Sequence, residues 1–174
     1  PWREAQADVI RLPLDEDGNI NQQDLIRALE ENATRPLVVG SFSAASNVTG
    51  VKADVPGITQ ILKRHAAIAV WDYAAGAPYL PIDMNRPGAA IDAVFFSPHK
   101  FIGGPGSSGV LAVKRSVIRS TAPGQVGGGT VRYVTPDWHD WHPDPEHREE
   151  GGTPAIIESI RGAMAVSIPG KLGY

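Results

Sequence analysis

The chain contains no cysteine, which rules out disulfides and thiolate metal sites within its 174 residues. It has no apolar run long enough to span a bilayer and no visible secretory signal. It has no surplus of basic residues: the net charge is −3, which argues against nucleic acid or a membrane surface as the main partner. These absences set the expectation of a soluble, cytoplasmic protein. Internal repeats and low-complexity tracts are missing too. There is no initiator Met: the chain opens on Pro1 and stops at Gly170-Lys171-Leu172-Gly173-Tyr174, soon after an apolar helix pattern. Both ends lead to the expectation of a fragment. What the chain does have is 42% apolar residues, enough to bury a sizeable core in one domain.

Periodicity and turn residues predict alternating strands and helices. Residues 9–14 are expected to form a short strand, followed by the turn Asp15-Glu16-Asp17-Gly18. Asn21 is expected to cap a helix that turns Leu25, Ile26 and Leu29 to one face. Residues 37–43 make a second strand. Asp54 caps a second helix with Val55, Ile58, Ile61 and Leu62 inward. Residues 67–72 form a third strand, whose apolar run predicts burial on both faces. After a long Pro-containing connection come a fourth strand at 93–97 and a fifth at 108–113. The glycine turn between them is too short for a crossover helix, so the fifth strand is expected to run antiparallel to its neighbour. Residues 121–152 read as irregular. Thr153-Pro154 is expected to open a third helix, with Pro at its first position and Ile157, Ile160 and Met164 inward. The sum is an α/β fold with a mostly parallel sheet and one antiparallel strand.

In such sheets, ligands sit beyond the carboxyl ends of the strands. Polar residues of this chain gather at those ends: Ser43 to Asn47 after the second strand, Asp72 at the close of the third, and Ser97, His99 and Lys100 after the fourth. The last three lie in Val94-Phe95-Phe96-Ser97-Pro98-His99-Lys100-Phe101-Ile102-Gly103-Gly104-Pro105-Gly106, where an apolar run gives way to a glycine-rich turn. A lysine amine, a buried carboxylate and phosphate donors are the three things pyridoxal 5'-phosphate asks of a protein. Lys100 can form the Schiff base. Asp72 can hold the pyridine nitrogen protonated, since a buried carboxylate is costly unless paired. Ser97 and His99 can donate to the phosphate. Each also has an ordinary use: Lys100 as a loop lysine, Asp72 as a cap or ion-pair partner, His99 as a core imidazole.

Five segments in order resemble the class V aminotransferases, a group that includes cysteine desulfurases, selenocysteine lyases and isopenicillin epimerase-like proteins. They are Ser46-Asn47-Val48-Thr49-Gly50, Trp71-Asp72, Ser97-Pro98-His99-Lys100, Gly127-Gly128-Gly129, and Arg148-Glu149-Glu150-Gly151-Gly152-Thr153-Pro154. The resemblance runs from about residue 9 to 166. It implies part of the large, cofactor-binding domain of a fold type I pyridoxal phosphate enzyme, a three-layer α/β/α arrangement. An upstream segment and a C-terminal small domain would be absent from residues 1–174. It implies Lys100 as the Schiff-base lysine, Asp72 on the pyridine nitrogen, and Asn47 near the ring's phenolic oxygen. Ser97 and His99 would lie near the phosphate and the lysine. Thr153 would reach the phosphate of a neighbouring subunit, in a homodimer with shared active sites. The substrate would be an amino acid and the outcome a lyase, desulfurase, epimerase or transaminase reaction. One departure bears on the outcome: the desulfurase branch carries Gln three residues after the pairing Asp, and Ala75 stands there.

Other readings stay open. His139, His142 and His147, with Asp140, place imidazoles and a carboxylate close enough in sequence for a metal. Pro136, Pro143 and Pro145 break any helix that would align them. Gly103-Gly104-Pro105-Gly106 is a phosphate-loop candidate, but no Gly-Lys-Ser/Thr follows it. The stretch is also compatible with a catalytically inactive fragment or structural domain of the same fold.

Overall fold

The computed structural model describes residues 2–172, so Pro1, Gly173 and Tyr174, on which the expectation of a fragment partly rests, lie outside the described residues. The chain forms two compact units, the first ending at Phe96 and the second starting at Ser97.

In the first unit three strands run parallel: β1 (Val39–Ser43), β2 (Ile68–Asp72) and β3 (Ala93–Phe96). Register pairs Ser43 with Asp72 and Asp72 with Phe95, so these strands end together. Two helices accompany them, α1 (Gln22–Glu31) and α2 (Val55–Arg64). Both caps fall where the sequence places them. Asn21 Oδ1 accepts from the Gln23 and Asp24 amides at 3.0 and 3.2 Å, and Asp54 Oδ1 from Gly57 at 3.0 Å. Leu25 and Leu29 of α1 and Ile58 and Leu62 of α2 are buried. α2 is the crossover that parallel β1 and β2 require, and it lies very close. A Cβ at Gly40 of β1 would stand 2.5 Å from Leu62 Cδ2. Trp71 and Thr59 are both fully buried, and Trp71 Nε1 donates to Thr59 Oγ1 at 2.8 Å, which fixes the helix along the strand. Burial of β2 is complete on one face, at Ala69 and Trp71, and partial at Ile68, Val70 and Asp72. A charged pair closes the amino end of the sheet. Asp92, 6% exposed, takes the Lys63 ammonium and the Ala69 amide, the latter at 2.8 Å.

Residues 9–14 do not form the expected strand. Only an isolated antiparallel bridge from Leu14 to Ile20 is present, and Val9, Ile10 and Leu14 are exposed. A strand needs a ladder partner. Among the described residues no ladder forms along this stretch, and Pro13 has no amide to donate. The turn that follows is as expected: Asp15 Oδ1 accepts from Asp17 and Asn19, and Gly18 takes φ +81°.

The second unit begins with a 3₁₀ turn at Pro98–Lys100, followed by β4 (Val110–Val113) and a second 3₁₀ turn at Arg115–Val117. Residues 121–152 are more ordered than expected. They hold an antiparallel hairpin of β5 (Val131–Val134) and β6 (His139–Trp141), then a short helix α3 (Pro145–Arg148). The Thr135 amide donates to the Trp138 carbonyl at 2.7 Å across Pro136-Asp137. The proline that looked like a breaker makes the hairpin turn.

Helix α4 (Ile156–Leu172) starts two residues after Pro154, so Pro154 is not its first residue. Its inward face is also not the expected one. Ile157, Ile160 and Met164 are more than half exposed, while Gly162 and Ala165 are buried. The cause is a close approach: a Cβ on Gly162 would lie 3.5 Å from Ser107 Cβ and 3.7 Å from Pro98 Cβ. The small residues Gly162 and Ala165 lie on the buried face, and the bulky apolar stripe is exposed. No helix among the described residues is long and apolar enough to cross a membrane.

Candidate active site

Within the first unit, Asp72 closes β2 half-buried. Its Oδ1 accepts from the Ala74 amide at 2.7 Å, and its carbonyl accepts from Ala44 at 2.8 Å. Oδ2 takes no hydrogen bond among the described residues. Tyr73 beside it is 3% exposed, and burial pushes its phenol up from the ordinary value. It therefore stays neutral and adds no negative charge next to the carboxylate. The chain leaving β1 turns at Ser46, whose Oγ accepts from Val48 and Thr49 at 3.2 and 3.1 Å. Gly50 closes this turn on the Ser46 carbonyl at 3.0 Å with φ +75°. Asn47 is exposed on that turn. Asn47 and Asp72 thus leave neighbouring strands at the same end of the sheet.

Ser97, His99 and Lys100 share one turn in the second unit. The Lys100 amide donates to the Ser97 carbonyl at 3.0 Å, and Phe101 to Pro98 at 2.9 Å. Pro98 is buried and anchors the turn, Ser97 is half-buried, and His99 and Lys100 are exposed. The Lys100 ammonium has no partner among the described residues. The glycines after it are required by geometry. Gly103 and Gly106 both take φ +78°, and a Cβ on Gly104 would overlap the Pro98 carbonyl oxygen. Gly104→Ala is therefore expected to displace the lysine turn and cost about 1–3 kcal/mol. Urea unfolding of the full-length variant measures this, and an unchanged midpoint would show that the turn yields freely.

Thr153 lies in an exposed bend and does not cap α4, which begins three residues later. The structure brings it instead to the Gly127-Gly128-Gly129 loop. The Gly152 amide donates to the Gly128 carbonyl at 2.8 Å, and a Cβ on Gly127 would stand 3.1 Å from Gly151 Cα. Thr130, fully buried, donates its hydroxyl to the Gly127 carbonyl at 2.6 Å. Sequence reasoning gave no role to Arg148, which is 5% exposed here and hydrogen-bonded to the Ser120 carbonyl at 2.8 Å. The one available signal was its place at the head of the Arg-Glu-Glu-Gly-Gly-Thr-Pro segment.

The histidine reading fails on geometry. His139 meets Trp141 edge-on at 4.3 Å, while His142 stacks on His147 at 4.7 Å. Among the described residues no group of three His, Asp or Glu side chains is placed to hold a metal. Asp144 is engaged elsewhere. The hydrogen bond from Arg115 holds its carboxyl below the usual carboxylate range, and it also caps α3 and meets His147 Nδ1 at 3.2 Å.

A parallel α/β sheet whose carboxyl ends lead into an acidic strand end and a lysine turn defines a fold class, and comparison with known proteins narrows it. The family profile described as aminotransferase class-V matches residues 1–173, and the chain belongs to that family. A protein of Aeropyrum pernix named a probable cysteine desulfurase is 37% identical over 166 residues, covering 93% of this chain and 38% of the relative. One of Halalkalibacterium halodurans with the same name is 31% identical over 177 residues, covering 99% and 42%. The apo structure of a cysteine desulfurase from Thermococcus onnurineus superposes with a TM-score of 0.82 at 25% identity, over 99% of this chain and 41% of that one. The chain thus spans about 40% of the length of the relatives it matches.

Proposed function

We propose that residues 1–174 are part of the cofactor-binding domain of a pyridoxal phosphate-dependent enzyme that acts on an amino acid. The upstream segment and a small domain would be supplied by the rest of the protein. The observation that carries this reading is the partnerless Lys100 on a glycine-locked turn at the start of the second unit. The residues present suit the cofactor. Asp72 has one carboxylate oxygen accepting from the Ala74 amide and one open to accept from a protonated ring nitrogen. Thr153 and two adjoining glycine loops offer a hydroxyl and backbone amides to a phosphate.

When bound, the cofactor supplies an electron sink for charge developing on the substrate carbon. Lys100 Nζ would hold the cofactor at its aldehyde carbon, and as a free amine it could move a proton at the substrate Cα. Asp72 Oδ2 keeps the proton on the ring nitrogen. Ser97, His99 and Thr153 bind the phosphate, Thr153 from the neighbouring subunit of a homodimer. Asn47 orients the ring through its phenolic oxygen. Cysteine is the first substrate to test, because relatives named probable cysteine desulfurases cover most of this chain. Ala75, where the resemblance implies Gln, keeps the other amino-acid reactions in the test.

The test is the visible absorption spectrum of the full-length protein with pyridoxal phosphate, recorded with and without cysteine and other amino acids. A protein-bound band that shifts with one of them is expected. A spectrum identical to free cofactor at saturating protein would end the proposal.

A further inference from the structure

Arg148 ends α3 at 5% exposure. A buried guanidinium is costly unless its donors are used. Here Nη1 donates to the His142 and Pro143 carbonyls at 3.3 and 3.5 Å, and Nη2 to Ser120 at 2.8 Å. Nε stays buried without a hydrogen bond, 3.6 Å from Glu149 Oε1. The other oxygen of Glu149 accepts from the Gly124 amide at 2.8 Å. Residues 148 and 149 therefore grip the chain at Ser120 and Gly124, just ahead of Gly127-Gly128-Gly129. Immediately after them, Gly151 and Gly152 lie backbone to backbone against that loop. Among the described residues, the amides of Gly128, Gly129, Gly151 and Thr153 donate to no protein acceptor. Gly129 and Gly152 both take positive φ, +86° and +95°. Successive free amides at such positions are the raw material of a backbone anion cradle.

We infer that Arg148, with Glu149, is a positioning residue. It never touches the ligand, because both Nη groups are spent on carbonyls and Nε is buried beside Glu149. It sets the two glycine loops against each other so that their free amides and Thr153 are already in place for a phosphate. This rests on the reading of Thr153 as a phosphate ligand. Its particular consequence is that the residue serves the phosphate and not the ring.

The experiment compares pyridoxal phosphate with pyridoxal, which lacks the phosphate, on the full-length protein. Arg148→Lys keeps the charge and loses the planar fork. The variant is expected to bind pyridoxal phosphate about tenfold more weakly and pyridoxal within about twofold of wild type. Thr153→Ala should show the same selective loss, and the double variant should lose little more than either single one. Amide exchange at residues 124–130 should rise in Arg148→Lys without a rise in β2. Equal losses for both ligands, or wild-type affinity for pyridoxal phosphate, would overturn the inference. If wild type binds neither ligand, the cofactor reading fails and exchange alone decides: unchanged exchange at 124–130 refutes the clamp, and raised exchange upholds it. Should Arg148→Lys not fold, Glu149→Gln loosens only the hold on Gly124 and carries the same comparison.

Discussion

Lys100→Ala in the full-length protein is expected to leave folding intact and to abolish turnover. The side chain is exposed and partnerless among the described residues, so its removal should shift stability by no more than about 0.5 kcal/mol. Activity is another matter. Loss of the proton-transfer role alone costs on the order of 10²–10⁴-fold, and loss of the covalent link adds to it. Borohydride reduction followed by peptide mapping checks the chemistry: wild type should carry a phosphopyridoxyl group on Lys100 and the variant none. Lys63 is a poor competitor because its ammonium is committed to Asp92. A label on Lys63 or Lys114 in wild type, with Lys100 bare, would refute the assignment.

The largest loss of stability is expected at the amino end of the parallel strands. Asp92→Ala strips Lys63 of its counter-ion and leaves the buried Ala69 amide without an acceptor. Breaking a buried pair from one side costs roughly 3–5 kcal/mol. Lys63 retains 29% side-chain exposure and the Ala67 carbonyl at 3.5 Å, which places the change near the low end. Even that is a large share of the roughly 5–15 kcal/mol that holds a domain folded. The double variant Lys63→Met with Asp92→Leu should recover most of it, because an apolar pair of similar bulk removes both charges together. Denaturant midpoints of the single and double variants decide the point. A single variant as stable as wild type would mean that water already shields the pair.

Where the cause of a structure is local, the sequence was legible. Asn21 and Asp54 cap their helices because the cap is a contact across three residues. β1, β2 and β3 follow from short apolar runs, and the lysine turn from glycines whose φ angles or close approaches admit nothing else. Where the cause is a distant neighbour, the sequence misled. Residues 9–14 have strand-like side chains but no ladder beside them. In α4 the hydrophobic stripe predicts the wrong face, because the face packed by the turn carries the small residues Gly162 and Ala165. Arg148 carries no local mark of burial in the sequence. Its burial is created where chain around residues 120 and 142–143 meets the end of α3 in the folded unit.

The division at Phe96 and Ser97 has a consequence for how the protein is made. Residues up to Phe96 form their compact unit from contiguous chain, and each parallel pairing there is bridged by nearby residues. A ribosome delivers this stretch ahead of residues 97–174, and domains tend to form in the order they emerge. The pairing of β1, β2 and β3 that presents Asp72 can form while the later chain is still in the exit tunnel. Lys100 then appears only four residues after β3 is complete. Synthesis therefore delivers the three parallel strands ahead of Lys100, and β4 only after it.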